Sequence, residues 1–384
     1  MNKNLLVIIL LLSSWFYSCS KNNQSGTATA IIDSTPLANT IAKNDTINVM
    51  AYNVLNYGDG CQGSTNTLDS LFKIIIQYTQ PDLLSCEKMA AFNSTRGMAG
   101  NLADDILMNV LNTDFPSQYD YATPTNTSSG SKMSVLFFNR KKLTYLKTET
   151  LLASISDFDL YKLYYNDINL PITHDTTFLY VVVNHTQSGS SSTIRDQQVA
   201  TEMSDLRYKF LNFPNLINMG DFNTSGSYEP GYQAVVTSSD SSTIMGDPPY
   251  YPDKILTYPG NWDVTPYLVS PFLTTSTRLS ASIPNTCGTS GGAKGWYDHI
   301  FIAPWLISGK NYIKYISSSY KTIGNDANRM GVDINSTSPV INTSAPANVI
   351  NALFQFSNKY PVMLKLQVTA NRNAISPADP VEKN

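Results

Sequence analysis

The chain has 384 residues, 42% of them hydrophobic and 14% charged, with a formal net charge of −3 at pH 7. That balance suits a folded, loop-rich protein and argues against intrinsic disorder. No run of Lys or Arg stands out, which argues against extended wrapping of nucleic acid while leaving room for a cleft that takes one phosphodiester.

The N-terminus reads as an export signal. Lys3 supplies positive charge, Leu5 to Leu12 form an apolar core too short to span a bilayer, and Ser13, Ser14 and Ser18 lead to Cys19. Residues 1–18 are therefore expected to be a signal peptide. Cys19 stands where a lipoprotein peptidase would cut and where acyl chains would be attached, giving a membrane contact through a lipid anchor only. Phe16 replaces the leucine usual in such a lipobox, so plain secretion with Cys19 unmodified is the alternative. The expected location is the cell envelope, or the exterior if Cys19 carries no lipid. Residues 19–45 are polar and read as a tether, 46–370 as one domain, and 371–384 as a tail.

Along the domain, alternating or continuous apolar runs predict strands at Ile47–Val54, Asp82–Cys86, Met133–Phe138, Phe178–Asn184, Leu216–Met219, His299–Ile302, Ile313–Ile316 and Pro361–Val368. Helical spacing appears over Leu68–Tyr78. It appears again where Val199, Met203, Leu206 and Phe210 form one stripe on a helix over about Ile194–Leu211. Strands and helices mixed without strict alternation predict an α/β (α+β) fold, two sheets packed together with helices outside. The Ser/Thr/Asn/Pro/Gly-rich stretches at 122–132, 237–252 and 333–348 read as surface loops. Apart from Cys19 the cysteines are Cys61, Cys86 and Cys287. Should a disulfide form, Cys61 with Cys287 is the expected pair, and Cys86 is expected to be a buried hydrophobe. No CxxC or Cys/His cluster points to structural zinc.

The strongest local signal is Met219-Gly220-Asp221-Phe222-Asn223 at the end of an apolar run. Asp221 and Asn223 lie two apart, so in extended chain they face the same way and can hold a hard cation, a phosphate oxygen or a water. The same pattern also serves a plain strand-ending turn capped by Asp and Asn. Four further strand ends carry a polar group: Asn53 in AYNV, Glu87 after LLSC, His185 in VNH, and Asp298 in WYDHI. Five strands each delivering a metal- or proton-handling side chain is a constellation rather than a coincidence.

In that order the motifs AYNV, strand-Glu, VNH, GDFN, YDHI and YPVMLKL resemble the endonuclease/exonuclease/phosphatase (DNase I-like) superfamily, over about Ile47 to Val368. The resemblance implies a four-layer α-β-β-α sandwich of two mixed sheets, with the site at one end. It implies Asn53 and Glu87 in the shell of a Mg2+ ion (or Mn2+ or Ca2+), and His185 at the scissile phosphate. It further implies Asp221 handling the attacking water, Asn223 contacting phosphate, and Asp298 pairing with a second histidine. His299 is read as strand structure.

The departure from the pattern lies just before YPVMLKL, where the family carries Ser-Asp-His and this chain carries Ser357-Asn358-Lys359. Asn358 can offer a carbonyl oxygen to the metal but no charge, and Lys359 can stabilise negative charge but is a poor base. Asp326 is a conceivable substitute carboxylate, more simply read as a loop cap. Two readings follow: a metal-dependent phosphoesterase with an atypical site, acting on a phosphodiester or phosphomonoester, or a binding lipoprotein that keeps the fold. For the enzyme, nucleic acid, sphingolipid and inositol phosphate are all open; Trp305 and Tyr250-Tyr251 are the candidates for membrane contact, explained as well by packing.

Overall fold

The computed structural model describes residues 45–249, 260–282 and 287–369. The signal peptide, Cys19, the tether up to residue 44, the tail at 371–384 and the Tyr250-Tyr251 pair lie outside the described residues. Twelve strands are described: β1 Asp45–Asn53, β2 Leu83–Ala90, β3 Tyr119–Tyr121, β4 Lys132–Asn139, β5 Leu143–Leu152, β6 Phe158–Tyr165, β7 Phe178–His185, β8 Leu216–Asp221, β9 Asp298–Ile302, β10 Ile313–Tyr315, β11 Lys321–Thr322 and β12 Val362–Val368. The longer helices are α1 Thr65–Thr79, α2 Thr193–Lys209, α3 Pro230–Val236 and α4 Ala347–Phe356.

The strands form two mixed sheets. One runs β10-β12-β1-β2-β4-β3, with β11 also paired to β12, and the other runs β5-β6-β7-β8-β9. Each central strand alternates between two apolar environments, as the period of two in a strand demands. On β1, Ile47, Val49 and Ala51 face the other sheet, packing in one cluster with Val181, Val183, Ile217 and Ile300. Met50 and Tyr52 face outward into the layer that holds Phe72 of α1 and Phe356 of α4. On β7, Val181 and Val183 face inward, while Tyr180 and Val182 share a cluster with Val199, Met203 and Leu206 of α2. The result is a four-layer α-β-β-α sandwich, the fold class expected.

Helix α2 carries the predicted stripe, and α1 is bounded by Ser64, whose hydroxyl accepts from the Thr67 amide, and by Gln80 in a left-handed conformation. The antiparallel pair β5–β6 and helix α4 were not evident from pattern. Strands β5 and β6 carry Lys, Glu, Thr and Tyr among their apolar residues, which blurs alternation. Helix α4 begins within the stretch 333–348 read as a loop, whose last two residues are helical; its stripe of Val349, Ile350, Leu353 and Phe356 is buried, but no side chain caps its start. Cys61 and Cys287 form a disulfide and Cys86 is buried and free. The loop closed by that bond is tied to the end of α4: buried Arg278 donates to the carbonyls of Phe354, Gln355 and Cys287, and Gln62 donates to Phe356. Trp305, a candidate membrane contact, is instead buried, with Lys310 over its ring.

Candidate active site

Strand register assembles the site. In the first sheet Asn53 at the end of β1 lies beside Glu87 on the parallel strand β2. In the second, His185 at the end of β7 lies beside Asp221 at the end of β8, which in turn faces Asp298 at the start of β9. At these strand ends a hydrogen bond joins the two sheets, from Asn53 Nδ2 to Asp221 Oδ2 at 2.8 Å. Gly220 permits the close approach of β7 and β8: with φ +142°, a Cβ there would sit 2.0 Å from the Asn184 carbonyl oxygen.

Lys359 joins these carboxylates. Its Nζ lies 2.8 Å from Asp221 Oδ2 and 3.4 Å from Asp298 Oδ2, and 4.8 Å from the centre of the Tyr297 ring. Burial alone would lower the lysine's pKa, but the two carboxylates outweigh it and hold the ammonium above the usual lysine value. Lys359 is therefore a fixed positive charge and no base. Asp221 shows the reciprocal effect. Burial would raise its pKa, yet Lys359, His185 and the Asn53 amide keep it below the ordinary carboxylate value. Asp298 is pushed up to about 7 by burial, with Lys359 opposing and Asp221 adding to the rise. Its other oxygen, Oδ1, has no hydrogen-bond partner.

His185 has an unpartnered Nδ1, and burial lowers its pKa to about 4, so the ring is neutral at physiological pH. Asn223 turns out of the strand in a left-handed conformation, φ +48°, and its side-chain amide donates to the Thr186 carbonyl at 3.0 Å. Its backbone N–H donates to Asp221 Oδ1, so the motif serves both as a turn and as a brace for the aspartate. Asp298 and His299 point to opposite sides of β9. His299 is buried among the rings of Trp262, Trp296, Tyr232 and Phe301, with Nε2 3.1 Å from the Trp296 carbonyl oxygen and Nδ1 3.2 Å from Asp247 Oδ2. Asp326 bonds Arg329 Nε at 2.8 Å in its own loop, which caps the loop and takes no part in the site.

The fit to a divalent cation can be tested on unsatisfied oxygens. Glu87 is fully buried; Ser85 donates to Oε1, while Oε2 has no partner. Burial raises the Glu87 pKa well above its usual value, with Ser85 opposing and Asp298 and Asp221 adding. Asn358 donates through Nδ2 to Thr289 Oγ1 at 2.6 Å, which leaves its buried Oδ1 unpartnered. Asn53, by contrast, spends its amide on Asp221 and on the Leu55 N–H, positioning the aspartate. Among the described residues no group of three or more His, Cys, Asp and Glu side chains has the spacing of a metal cage. The unsatisfied oxygens are thus one carboxylate and one amide oxygen, donor types that a hard cation takes, with substrate and water commonly completing such a shell.

Three parts of the site carried no sequence signal. The segment Thr274–Thr277 runs as a buried strap beside Lys359: Tyr360 donates to the Thr274 carbonyl, Thr277 to that of Asn358, and Thr274 Oγ1 accepts from the Asp298 amide. Behind the strand ends, Glu202 of α2 accepts from the side chains of Asn184 and Asn218, its pKa raised to about 8 by burial. The third is Lys88, next to Glu87. All three depend on contacts between segments far apart in the chain.

No protein-family model matches this chain, and no curated protein matches it in sequence. Solved structures similar to it include a TDP2 of D. rerio complexed with a single-strand DNA product, at 10% identity and TM-score 0.48, covering 84% of this chain and 99% of that one. An endonuclease/exonuclease/phosphatase family protein of Bacteroides thetaiotaomicron is similar at 13% identity and TM-score 0.47, covering 85% and 99%. A mannosyl-6-phosphatase of the same organism is similar at 12% identity and TM-score 0.47, covering 83% and 99%. The likeness is one of architecture; the chemistry rests on the side chains described above.

Proposed function

We propose that this chain is a phosphoesterase that uses a divalent cation, magnesium by preference, with Lys359 standing as fixed charge where an imidazole is expected. The observation that carries this reading is the pairing of His185 and Asp221, adjacent in register, one neutral and the other ionised at physiological pH. Glu87 and Asn358 would hold the cation, whose chemistry when bound is to neutralise charge developing on the phosphate oxygens. Asp221, immobilised by Asn53, Lys359 and the Asn223 amide, orients a water for attack on phosphorus and takes its proton together with His185. As the new oxygen–phosphorus bond forms, the bond to the leaving group breaks. A phosphoryl dianion beside His185 raises that ring's proton affinity during the reaction.

Turnover should appear in a panel of bis-p-nitrophenyl phosphate, DNA, RNA, sphingomyelin and inositol phosphates with added magnesium or manganese. Asp221→Ala should cost about 100-fold or more in rate on any positive substrate. An Asp221→Ala rate equal to the parent rate would remove the site from consideration. The second reading, a binding protein that retains the fold, draws support from the engagement of Lys359 by two carboxylates, which leaves Asp298 with no imidazole to orient.

The proposal extends to export and anchoring in the cell envelope. Its support is the order of charge, apolar core and small residues before Cys19. Labelled palmitate should enter the wild-type chain and not Cys19→Ser; equal labelling of both, or of neither, would count against the anchor.

A further inference from the structure

Pairing between β2 and β4 passes from Cys86 opposite Val135 to Met89 opposite Met133, so Glu87 and Lys88 together face the single residue Ser134. This is a β-bulge, which breaks the alternation of side chains and re-aims one of them. Lys88 sits at the bulge in a left-handed conformation, φ +62°, uncommon for a residue with a Cβ. Backbone bonds hold it there: Asn56 donates to the Lys88 carbonyl at 2.7 Å, Val54 to that of Glu87 at 2.9 Å, and Ala90 to that of Tyr57 at 2.9 Å. A strained backbone braced from three sides beside a candidate site is the kind of conformation that persists for a functional reason.

The side chain has no hydrogen-bond or ion-pair partner among the described residues, although it is half-buried. The neighbouring lysines differ. Lys132 pairs with Asp59, and Lys359 with Asp221 and Asp298. After burial, the charges that bear on it are those of Lys359, Asp221, Lys132 and Asp59, and its own charge bears on His185. Lys359's charge is already committed to two carboxylates, whereas Lys88, with no carboxylate partner among the described residues, is a cation free to meet an anion. A half-buried ammonium beside a second ammonium is unfavourable until an anion arrives.

We propose that Lys88 is the side chain that receives a non-bridging oxygen of the substrate's phosphoryl group at the strand ends that carry Glu87 and His185, while Lys359 only steadies the aspartates. This assignment rests on the phosphoester reading of the site. It is tested with inorganic orthophosphate, titrated by calorimetry into the folded protein with magnesium present. Lys88→Met should weaken orthophosphate binding about 10- to 100-fold, the range for loss of one charge-assisted hydrogen bond, and Lys88→Arg should recover most of it. Lys88→Gly accepts the left-handed backbone without strain, so its melting temperature should equal or exceed that of wild type while binding is lost. Wild-type affinity in Lys88→Met would overturn the assignment alone. A fall in melting temperature for Lys88→Gly would make the lysine structural and overturn it as well. Wild-type protein that binds no orthophosphate would overturn the phosphoester reading, and the assignment with it.

Discussion

Lys359→Met should lower the free energy of unfolding by about 3–5 kcal/mol, the usual consequence of removing one partner from a buried charge group. Asp221 and Asp298 are each 1% exposed, so water cannot replace the ammonium that now sits between them. Urea denaturation of the parent and the variant measures the difference. Adding Asp298→Asn to Lys359→Met should return part of the loss, because one of the stranded charges is then gone. The penalty should also depend on pH. Asp298 binds its proton more tightly folded than unfolded, its pKa being about 7 against about 4 for a free aspartate. Its contribution therefore favours the folded state at low pH and is lost as pH rises from about 4 through 7. Without Lys359 to oppose the rise the effect grows, so the variant should be weakest above neutrality and recover near pH 5. A variant within about 1 kcal/mol of the parent at pH 8 would mean that the ammonium is not what satisfies the two carboxylates.

The parts of this architecture legible in the sequence are those written locally. Strand β8 and its Gly-Asp turn, the stripe on α2 and the apolar run of β12 all show in windows of a few residues, and a polar residue ending each run marks the strand end that meets the site. The convergence of Asn53 with Asp221, 168 positions apart, was implied by the order of the motifs. The opposite orientations of Asp298 and His299 followed from alternation alone. What stayed hidden was set by distant segments. The strap at 274–277 is made of Thr and Ser that look like loop, and only its pairing with Asn358 and Tyr360 makes it part of the site. Lys88 carries no signal of its own in the sequence, since the bulge that breaks its alternation is a matter of pairing with β4 and of backbone bonds to residues 54–57. Asn53, expected from the resemblance near the metal, donates its amide to Asp221, a contact no sequence window contains.

Asn358→Asp combined with Lys359→His should raise turnover by about 10²- to 10⁴-fold, the range attributed to one positioned acid/base group. The backbone already suits the exchange. The Lys359 amide donates to Ser357 Oγ at 3.1 Å and residue 359 bridges to Thr275, and neither contact uses the side chain. An imidazole there could pair with Asp298, whose Oδ1 lacks a partner, and would titrate near neutrality where an ammonium held above its usual pKa cannot. Asp221, released from Lys359, would lose the leading influence that keeps its pKa low and become the stronger base. At 358 an aspartate fits the space of the asparagine. Gly288 allows that approach, since a Cβ there, at φ +89°, would lie 2.7 Å from Asn358 Cγ. Thr289, which now accepts from the amide, can rotate its hydroxyl to donate to a carboxylate, and the cation gains a second anionic oxygen beside Glu87. The single variants separate the two effects: Lys359→His should carry most of the gain in kcat, and Asn358→Asp should lower the magnesium concentration needed for half-maximal rate. A folded double variant with unchanged turnover would mean that the Asn-Lys pair does not limit the chemistry, and that Lys359 belongs to a site already working in its own way.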